Sequence, residues 1–135
     1  MKTTHIGMWS GPRNISTALM RSFENREDTT ALDEPFYTYY LYKTGIKHPG
    51  RELIMKSQNS NWSEVSELCI GKIPEGKNIW YQKHMAQHLL DNNDLSWILN
   101  LKNCLLIRDP KAVINSFKKE FPVERTTQLG YPQQL

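Results

Sequence analysis

The alternation of short apolar strands with amphipathic helices is the pattern that most constrains the fold of this 135-residue chain. Strands are predicted at four short apolar runs, 4–9, 29–32, 78–85 and 101–107. Helices are predicted at about 15–26, around Val65 to Cys69, and after Pro110, where apolar side chains recur every three or four residues. Strands connected in this way usually run parallel, so we predict an α/β fold in which helices flank a parallel sheet.

Several local features refine this prediction. The run 104–107 is apolar throughout, which is typical of a buried parallel strand. Asp109 followed by Pro110 is a strong signal for a helix start, and Asn14 or Ser16 is expected to cap the first helix. The aromatic cluster at 36–42 fits either a helix packed on one side or a loop that lines a cleft.

Composition limits the class of function. Only 39% of the residues are hydrophobic, the mean hydropathy is −0.61, and no apolar run approaches the length of a membrane span. Acidic and basic residues are interleaved at a net charge of +3, which argues against a nucleic-acid partner. We therefore expect one soluble domain over 1–135, and copies of it could associate.

The cysteine, histidine and acidic residues indicate neither a metal site nor a secreted protein. Cys69 and Cys104 are too few and too far apart for a disulfide framework or a four-ligand zinc site. No spacing of His, Asp and Glu suggests a metal site either, so we predict no metal ligands. The residues after Lys2 are too polar for a secretory signal, and a cytoplasmic location is expected.

Two segments at predicted strand ends could bind phosphate. Residues 9–20 (WSGPRNISTALM) form a turn that opens into a helix, where free backbone N–H groups and the helix dipole attract anions. Arg13, Ser16 and Thr17 add side-chain donors there. In the second segment, 104–119, Arg108 ends a strand and Ser116 follows on the next helix, so both could reach one anion. Taken singly, each segment also fits an ordinary strand–turn–helix connection.

Together, the two segments resemble the sulfotransferase family that uses 3′-phosphoadenosine 5′-phosphosulfate (PAPS). The family motif P-[KR]-S-G-[ST]-[ST] is similar to residues 12–17, PRNIST, with Ile15 in place of the usual Gly. The motif R-[DN]-P-x-x-[VA]-x-x-S matches residues 108–116, RDPKAVINS. The resemblance implies a P-loop-like nucleotide-binding fold and PAPS as co-substrate. It also implies transfer of a sulfuryl group to a hydroxyl of a small-molecule or carbohydrate acceptor.

The resemblance also assigns roles to individual residues. The 5′-phosphosulfate side of PAPS would lie on Arg13, Asn14, Ser16 and Thr17, and the 3′-phosphate on Arg108 and Ser116. Arg13 would also act in catalysis. Glu34, in Asp33-Glu34-Pro35-Phe36, looks like the glutamate base of bacterial and carbohydrate sulfotransferases. His84, in Gln82-Lys83-His84-Met85, is similar to the catalytic histidine of cytosolic ones. Both remain candidates for the base, with Glu34 preferred.

Two other classes of function stay open. The family fold normally continues beyond this endpoint, so the sequence predicts a chain incomplete at its C-terminus and allows a non-catalytic nucleotide-binding or interaction domain. A different phosphoryl-transfer enzyme is the second alternative. It is disfavoured because Ile15, and not Lys, precedes Ser16, and because no acid suited to Mg²⁺ is evident at a strand end.

Overall fold

A computed structural model describes residues 2–135 and confirms the α/β class: four parallel strands flanked by helices. The strands are β1 (Thr4–Ser10), β2 (Thr29–Asp33), β3 (Ile79–Met85) and β4 (Lys102–Leu106). The helices are α1 (Ser16–Glu24), α2 (Tyr37–Thr44), α3 (Arg51–Ser57), α4 (Trp62–Ile70), α5 (Pro110–Phe117) and α6 (Tyr131–Gln134). No helix within residues 2–135 has the length and apolar character needed to cross a membrane.

The sheet has the strand order β2-β3-β1-β4, and every neighbouring pair is parallel. β1 therefore lies inside the sheet, between β3 and β4. The register places Ser10 of β1 opposite Met85 of β3, and Asp33 of β2 opposite Lys83 of β3. The carboxyl ends of three strands thus meet along one edge of the sheet, where ligands bind in folds of this kind.

Alternation along β3 directs successive side chains to opposite faces of the sheet. Tyr81 stacks on Phe23 of α1, with ring centroids 4.4 Å apart. The next residue, Gln82, donates a 2.6 Å hydrogen bond to the carbonyl oxygen of Cys69 in α4. The α4 face carries the main apolar cluster, formed by Trp9, Phe36, Val65, Cys69, Trp97 and Leu101.

β4 is parallel, as predicted, but the expectation that it is buried is wrong. Leu105 is 57% exposed and Ile107, just beyond the strand, is 73% exposed. β4 pairs with β1 on one side only and is the last strand in the sheet order. An apolar run indicates a strand, but it does not reveal whether that strand lies at the centre or at the edge of the sheet.

The helix starts agree with the sequence in one case and differ in the other. Asp109 caps α5 by accepting hydrogen bonds from the N–H groups of Lys111 (2.7 Å) and Ala112 (3.4 Å). At α1, neither Asn14 nor Ser16 is the cap. Ile15 occupies that position in a left-handed conformation and makes no side-chain capping bond. The aromatic cluster forms α2, so the helical alternative for 36–42 is confirmed.

Candidate functional site

A cavity of about 620 Å³ opens where the carboxyl ends of β1, β2 and β3 meet. One end of it is polar and is lined by Arg13, Ser16, Thr17, Glu34 and Lys83. The other end is mainly aromatic and is lined by Tyr37, Tyr40, His48, His88, Phe117 and Phe121. The cavity therefore joins a charged region beside the first phosphate motif to an apolar region large enough for a ring.

The loop between β1 and α1 has a tight, specific backbone. A Cβ atom on Gly11 would lie 2.1 Å from the carbonyl oxygen of Leu129, so only glycine fits this close approach. The amide of Asn14 donates to the carbonyl oxygens of Gly11 and Pro12, both at 2.9 Å. The backbone angle φ is positive at two non-glycine residues, Arg13 (64°) and Ile15 (52°). Asn14 thus holds the shape of the loop that leads into the first helix.

The guanidinium of Arg13 forms an ion pair with the carboxylate of Glu120, with a nitrogen–oxygen distance of 2.7 Å. This contact lowers the pKa of Glu120, first through the hydrogen bond and then through the charge of Arg13. Both side chains reach solvent, at 33% and 58% exposure, so the pair is accessible to competing anions. Arg13 is therefore placed beside the cavity, with its charge shared with an acidic residue from beyond α5.

Lys83 is the centre of a polar network at the strand ends. Its side chain is 5% exposed, and its ammonium nitrogen lies 3.0 Å from the Oδ1 atom of Asp33 and 3.3 Å from the Oε2 atom of Glu34. The same nitrogen donates a 3.0 Å hydrogen bond to the hydroxyl of Thr17 at the start of α1. In the sequence, Lys83 stands out only as the residue before His84 in Gln82-Lys83-His84-Met85. The structure makes it the link between the first phosphate motif and Glu34.

Glu34 is held in an unusual backbone conformation, with φ at 45°. Its N–H donates to the carbonyl oxygen of Lys83 at 2.9 Å, and its own carbonyl oxygen accepts from Tyr37 at 3.1 Å. Burial raises the pKa of Glu34, Lys83 opposes that rise, and the neighbouring Asp33 adds to it. A carboxylate with a raised pKa accepts a proton more readily than an ordinary one, as a general base must.

His84 lies on the opposite face of β3 and does not line the cavity. Its ring stacks on Trp9 with centroids 4.4 Å apart, and its Nε2 atom lies 3.0 Å from the Oε1 atom of Gln82. Burial lowers the pKa of His84 to about 3. Of the two candidate bases, the structure therefore brings only Glu34 to the cavity, because alternation along the strand turns Lys83 toward it and His84 away.

The second phosphate motif lies next to the first. The guanidinium of Arg108 donates a 2.9 Å hydrogen bond to the carbonyl oxygen of Arg13, and Arg108 is otherwise exposed. Ser116 lies on α5, is half-buried, and does not line the cavity. The structure thus brings Arg108 to the phosphate loop and leaves Ser116 further along the following helix, and neither residue lines the cavity.

Most residues at the aromatic end of the cavity were not predicted from the sequence. Tyr37 stacks on His88 with ring centroids 5.3 Å apart and meets the edge of His48 at 5.6 Å. Phe121, from beyond α5, faces His48 at 6.1 Å. These residues come from three separate segments, so no local spacing could have grouped them. Among residues 2–135, no group of three or more His, Cys, Asp and Glu is placed to hold a metal ion.

Comparison with known proteins is consistent with this geometry. The family model of the sulfotransferase domain matches residues 4–128. Two Arabidopsis thaliana proteins, named branched-chain-amino-acid aminotransferase-like proteins 2 and 1, are 35% and 34% identical to this chain over 118 residues. The match covers 87% of this chain but 21% of each relative, so the chain spans about a fifth of their length. No solved structure matches.

Proposed function

This chain belongs to the sulfotransferase domain family, and on that premise we propose that it transfers a sulfuryl group from PAPS to a hydroxyl of a small-molecule or carbohydrate acceptor. One observation carries the proposal. The ammonium of Lys83 contacts the Thr17 hydroxyl on the phosphate loop and the Glu34 carboxylate beside the aromatic cavity. Donor groups for an anion and a base for an acceptor hydroxyl therefore meet at one point.

In this proposal, the 5′-phosphosulfate lies on the start of α1. Ser16 and Thr17 open the helix, where backbone N–H groups have no partner within the helix and the dipole is positive. Arg13 adds a guanidinium at the cavity edge once a phosphate replaces Glu120 as its partner. Asn14 acts through its two hydrogen bonds to the loop carbonyls and so positions the loop.

The 3′-phosphate is assigned to Arg108, with Ser116 as a second donor. Arg108 is exposed and bonds to the loop that would hold the 5′ side, so one nucleotide could touch both motifs. A guanidinium offers several donors in one plane, and one bond to a carbonyl leaves others free for a phosphate. This hydrogen bond and the pairing of β1 with β4 hold the two motifs side by side.

The chemical step follows from the position of Glu34. The acceptor hydroxyl gives its proton to the Glu34 carboxylate as its oxygen forms a bond to the sulfur. The bond between sulfur and the 5′-phosphate oxygen breaks, and its electron pair stays on the phosphate. In this proposal, Lys83, the start of α1 and Arg13, which meet at the polar end of the cavity, stabilise the negative charge on the transferring and leaving groups.

Calorimetric titration with 3′-phosphoadenosine 5′-phosphate, the product nucleotide, tests the proposal. We expect binding that requires the 3′-phosphate, followed by transfer of labelled sulfate from PAPS in an acceptor screen. Absence of binding at millimolar nucleotide contradicts the assignment of PAPS as donor. Binding of ATP with Mg²⁺ in preference to the 3′-phosphorylated nucleotide would indicate a phosphoryl-transfer enzyme instead. Nucleotide binding with no transfer to any acceptor would indicate a binding domain.

We place this reaction in the cytoplasm. Both cysteines are free thiols: Cys69 is buried and Cys104 is exposed on β4. Exposed free thiols are more common in reducing compartments than in secreted proteins. Fractionation of the host cell, with detection of the chain by antibody, tests this location.

A further inference from the structure

A second cavity, of about 510 Å³, adjoins the aromatic end of the first. The two cavities share five lining residues, Tyr40, Ile46, Gln87, Glu124 and Gln128, so they are two parts of one cleft. Each part alone has the volume of a small-molecule site, commonly about 300–1,000 Å³. A ligand confined to the part beside Glu34 would therefore leave a comparable volume unfilled.

The second cavity differs from the first in its chemistry. It is formed where the C-terminal segment 126–134 packs on the 3₁₀ turn at 86–88, an approach so close that a Cβ on Gly130 would lie 3.0 Å from that of Ala86. Its wall contains amide oxygens, hydroxyls and the carboxylates of Asp91 and Glu124, with Arg125 as the one cationic residue lining it. The amides and hydroxyls can both donate and accept, and the two carboxylates only accept, so the wall offers acceptor sites to a ligand that carries donors.

Two glutamine side chains make this preference specific. The Nε2 atom of Gln133 donates to the carbonyl oxygens of Thr127 (3.2 Å) and Leu89 (3.4 Å), which fixes the orientation of its amide. Its Oε1 atom is buried and has no hydrogen-bond partner among residues 2–135. The Oε1 atom of Gln87 is buried and unpartnered in the same way. Such acceptors carry a desolvation cost that a donor from a ligand would relieve.

We propose that this second cavity is a distal acceptor subsite, for the hydroxyl-bearing remainder of an elongated neutral glycan of two or more sugar units. The inference rests on the proposed sulfotransferase function and deepens it. The sugar unit that receives the sulfuryl group lies against Tyr37 and Tyr40, with its hydroxyl at Glu34. The next unit donates hydroxyl hydrogens to the amide oxygens of Gln87, which lines both parts of the cleft, and of Gln133, which lines only the second part.

The experiment measures acceptor binding to the chain saturated with 3′-phosphoadenosine 5′-phosphate, by calorimetry. The probes are gluco-, galacto- and N-acetylglucosamine series of one, two and three units, with 4-nitrophenol for comparison. We expect at least one series to bind about tenfold more tightly at two units than at one, since a hydrogen bond to a buried acceptor is worth about that factor. Equal affinity for one and two units in every series, or tightest binding of the phenol, overturns the proposal.

Three variants test whether the gain in affinity from the second sugar unit arises in the second cavity. Gln133→Leu removes the amide oxygen, and Thr127→Trp fills the second cavity from an exposed position without removing a side-chain hydrogen bond. Each is expected to abolish the tenfold gain from the second sugar unit. Gln58→Leu, which lines neither part of the cleft, is the matched control and should retain the gain. A gain that survives both Gln133→Leu and Thr127→Trp overturns the proposal.

Titration with the nucleotide alone distinguishes failure of the distal subsite from failure of the proposed function. If the nucleotide itself does not bind, the proposed function fails, and the distal subsite fails with it. If the nucleotide binds to wild type and to Gln133→Leu with equal affinity but no glycan shows a length effect, only the distal subsite is rejected.

Discussion

Arg108 donates a 2.9 Å hydrogen bond from its guanidinium to the carbonyl oxygen of Arg13, which lies 95 residues earlier in the chain. This bond adds to the pairing of β1 and β4, which brings together the two segments that resemble phosphate-binding motifs. It links the proposed 5′ and 3′ phosphate positions without using the side chain of Arg13. That side chain remains free to exchange Glu120 for a ligand.

Replacement of Arg108 by alanine tests the assignment of the 3′-phosphate. A charge-assisted bond of this type is worth about 1.5–3 kcal/mol, so affinity for the 3′-phosphorylated nucleotide should fall by about 10- to 150-fold. The unphosphorylated analogue should lose far less. Calorimetry with both ligands gives the ratio, and Lys111→Ala, in the helix that follows, is the control. Equal weakening of both ligands would show that Arg108 only supports the loop.

Replacement of Glu34 by glutamine tests whether Glu34 is the base that takes the proton of the acceptor hydroxyl. The amide keeps the shape but cannot take a proton, so turnover should fall by about 10²–10⁴ while nucleotide affinity is retained. His84→Asn is the matched comparison, because His84 is the other candidate and does not line the cavity. Radiolabelled sulfate transfer and calorimetry give the two quantities. Normal transfer by Glu34→Gln together with loss of transfer in His84→Asn would reverse the assignment.

Replacement of Glu120 by glutamine should free the guanidinium of Arg13 from its ion pair. An exposed ion pair of this kind contributes little, so nucleotide affinity should rise by only about 1.5- to 5-fold. The difference from wild type should shrink at high salt, because screening weakens the pair. Glu52→Gln, an exposed acid of α3, is the control in the same titrations. If Glu120→Gln binds the nucleotide no more tightly than wild type at low salt, Glu120 does not compete for Arg13.

Replacement of Ile15 by glycine should stabilise the protein. Ile15 is 76% exposed and has a φ of 52°, a conformation that costs a β-branched residue about 1–2 kcal/mol. Glycine removes that cost but loses about 0.5–1 kcal/mol of backbone entropy, so the free energy of unfolding should rise by up to about 1.5 kcal/mol. Urea denaturation measures it. Ile107→Gly, equally exposed and without a positive φ, should be destabilising. Equal destabilisation by both changes would contradict this reading.

Stability should decrease in mild acid because of two buried histidines. Burial lowers the pKa of His84 and of His88 to about 3, and for His88 the charges of His84 and Lys83 add to the effect. In the unfolded chain both titrate near 6.5, so between these values the unfolded state binds more protons than the folded state. The free energy of unfolding should therefore fall as the pH drops below about 6.5, by up to about 1.4 kcal/mol per pH unit per histidine.

Denaturant titrations between about pH 6.5 and 5 follow this effect, since ordinary carboxylates remain ionised there, while Glu34, whose pKa is raised by burial, acts in the opposite direction. His84→Phe and His88→Phe keep an aromatic ring in each position. Each change should remove about half of the slope, and the double variant should remove nearly all of it. A slope that persists in the double variant would assign the pH dependence to other groups.

The parts of the fold that sequence predicted are those set by local interactions. Asp109 and Pro110 begin α5 because a cap and a fixed φ act within one turn, and they needed no knowledge of the rest of the molecule. The exposure of Leu105 could not be predicted in the same way. It depends on which strands neighbour β4, and the apolar run itself is the same in a central or an edge strand.

The same distinction between local interactions and long-range packing applies to the candidate site. The phosphate loop and Glu34 were predicted from short motifs, and the structure places both at the cavity. His84 and Lys83 are adjacent, and only the packing of α1 and α4 on opposite faces of β3 decides which of them reaches that cavity. Ile15 departs from the family motif, and its left-handed conformation shows that the loop keeps a glycine-like backbone without the glycine.

The position of β1 between two neighbours, with β4 at the edge, implies an order in which backbone amides exchange with solvent. Strands inside a sheet open only in large unfolding events, whereas edge strands open locally and exchange first. The loop that carries Arg13 leaves the protected strand β1, while Arg108 follows the edge strand β4. Local opening at the edge would thus detach Arg108 and leave the first loop intact. A nucleotide that bridges both would slow amide exchange in β4 far more than in β1.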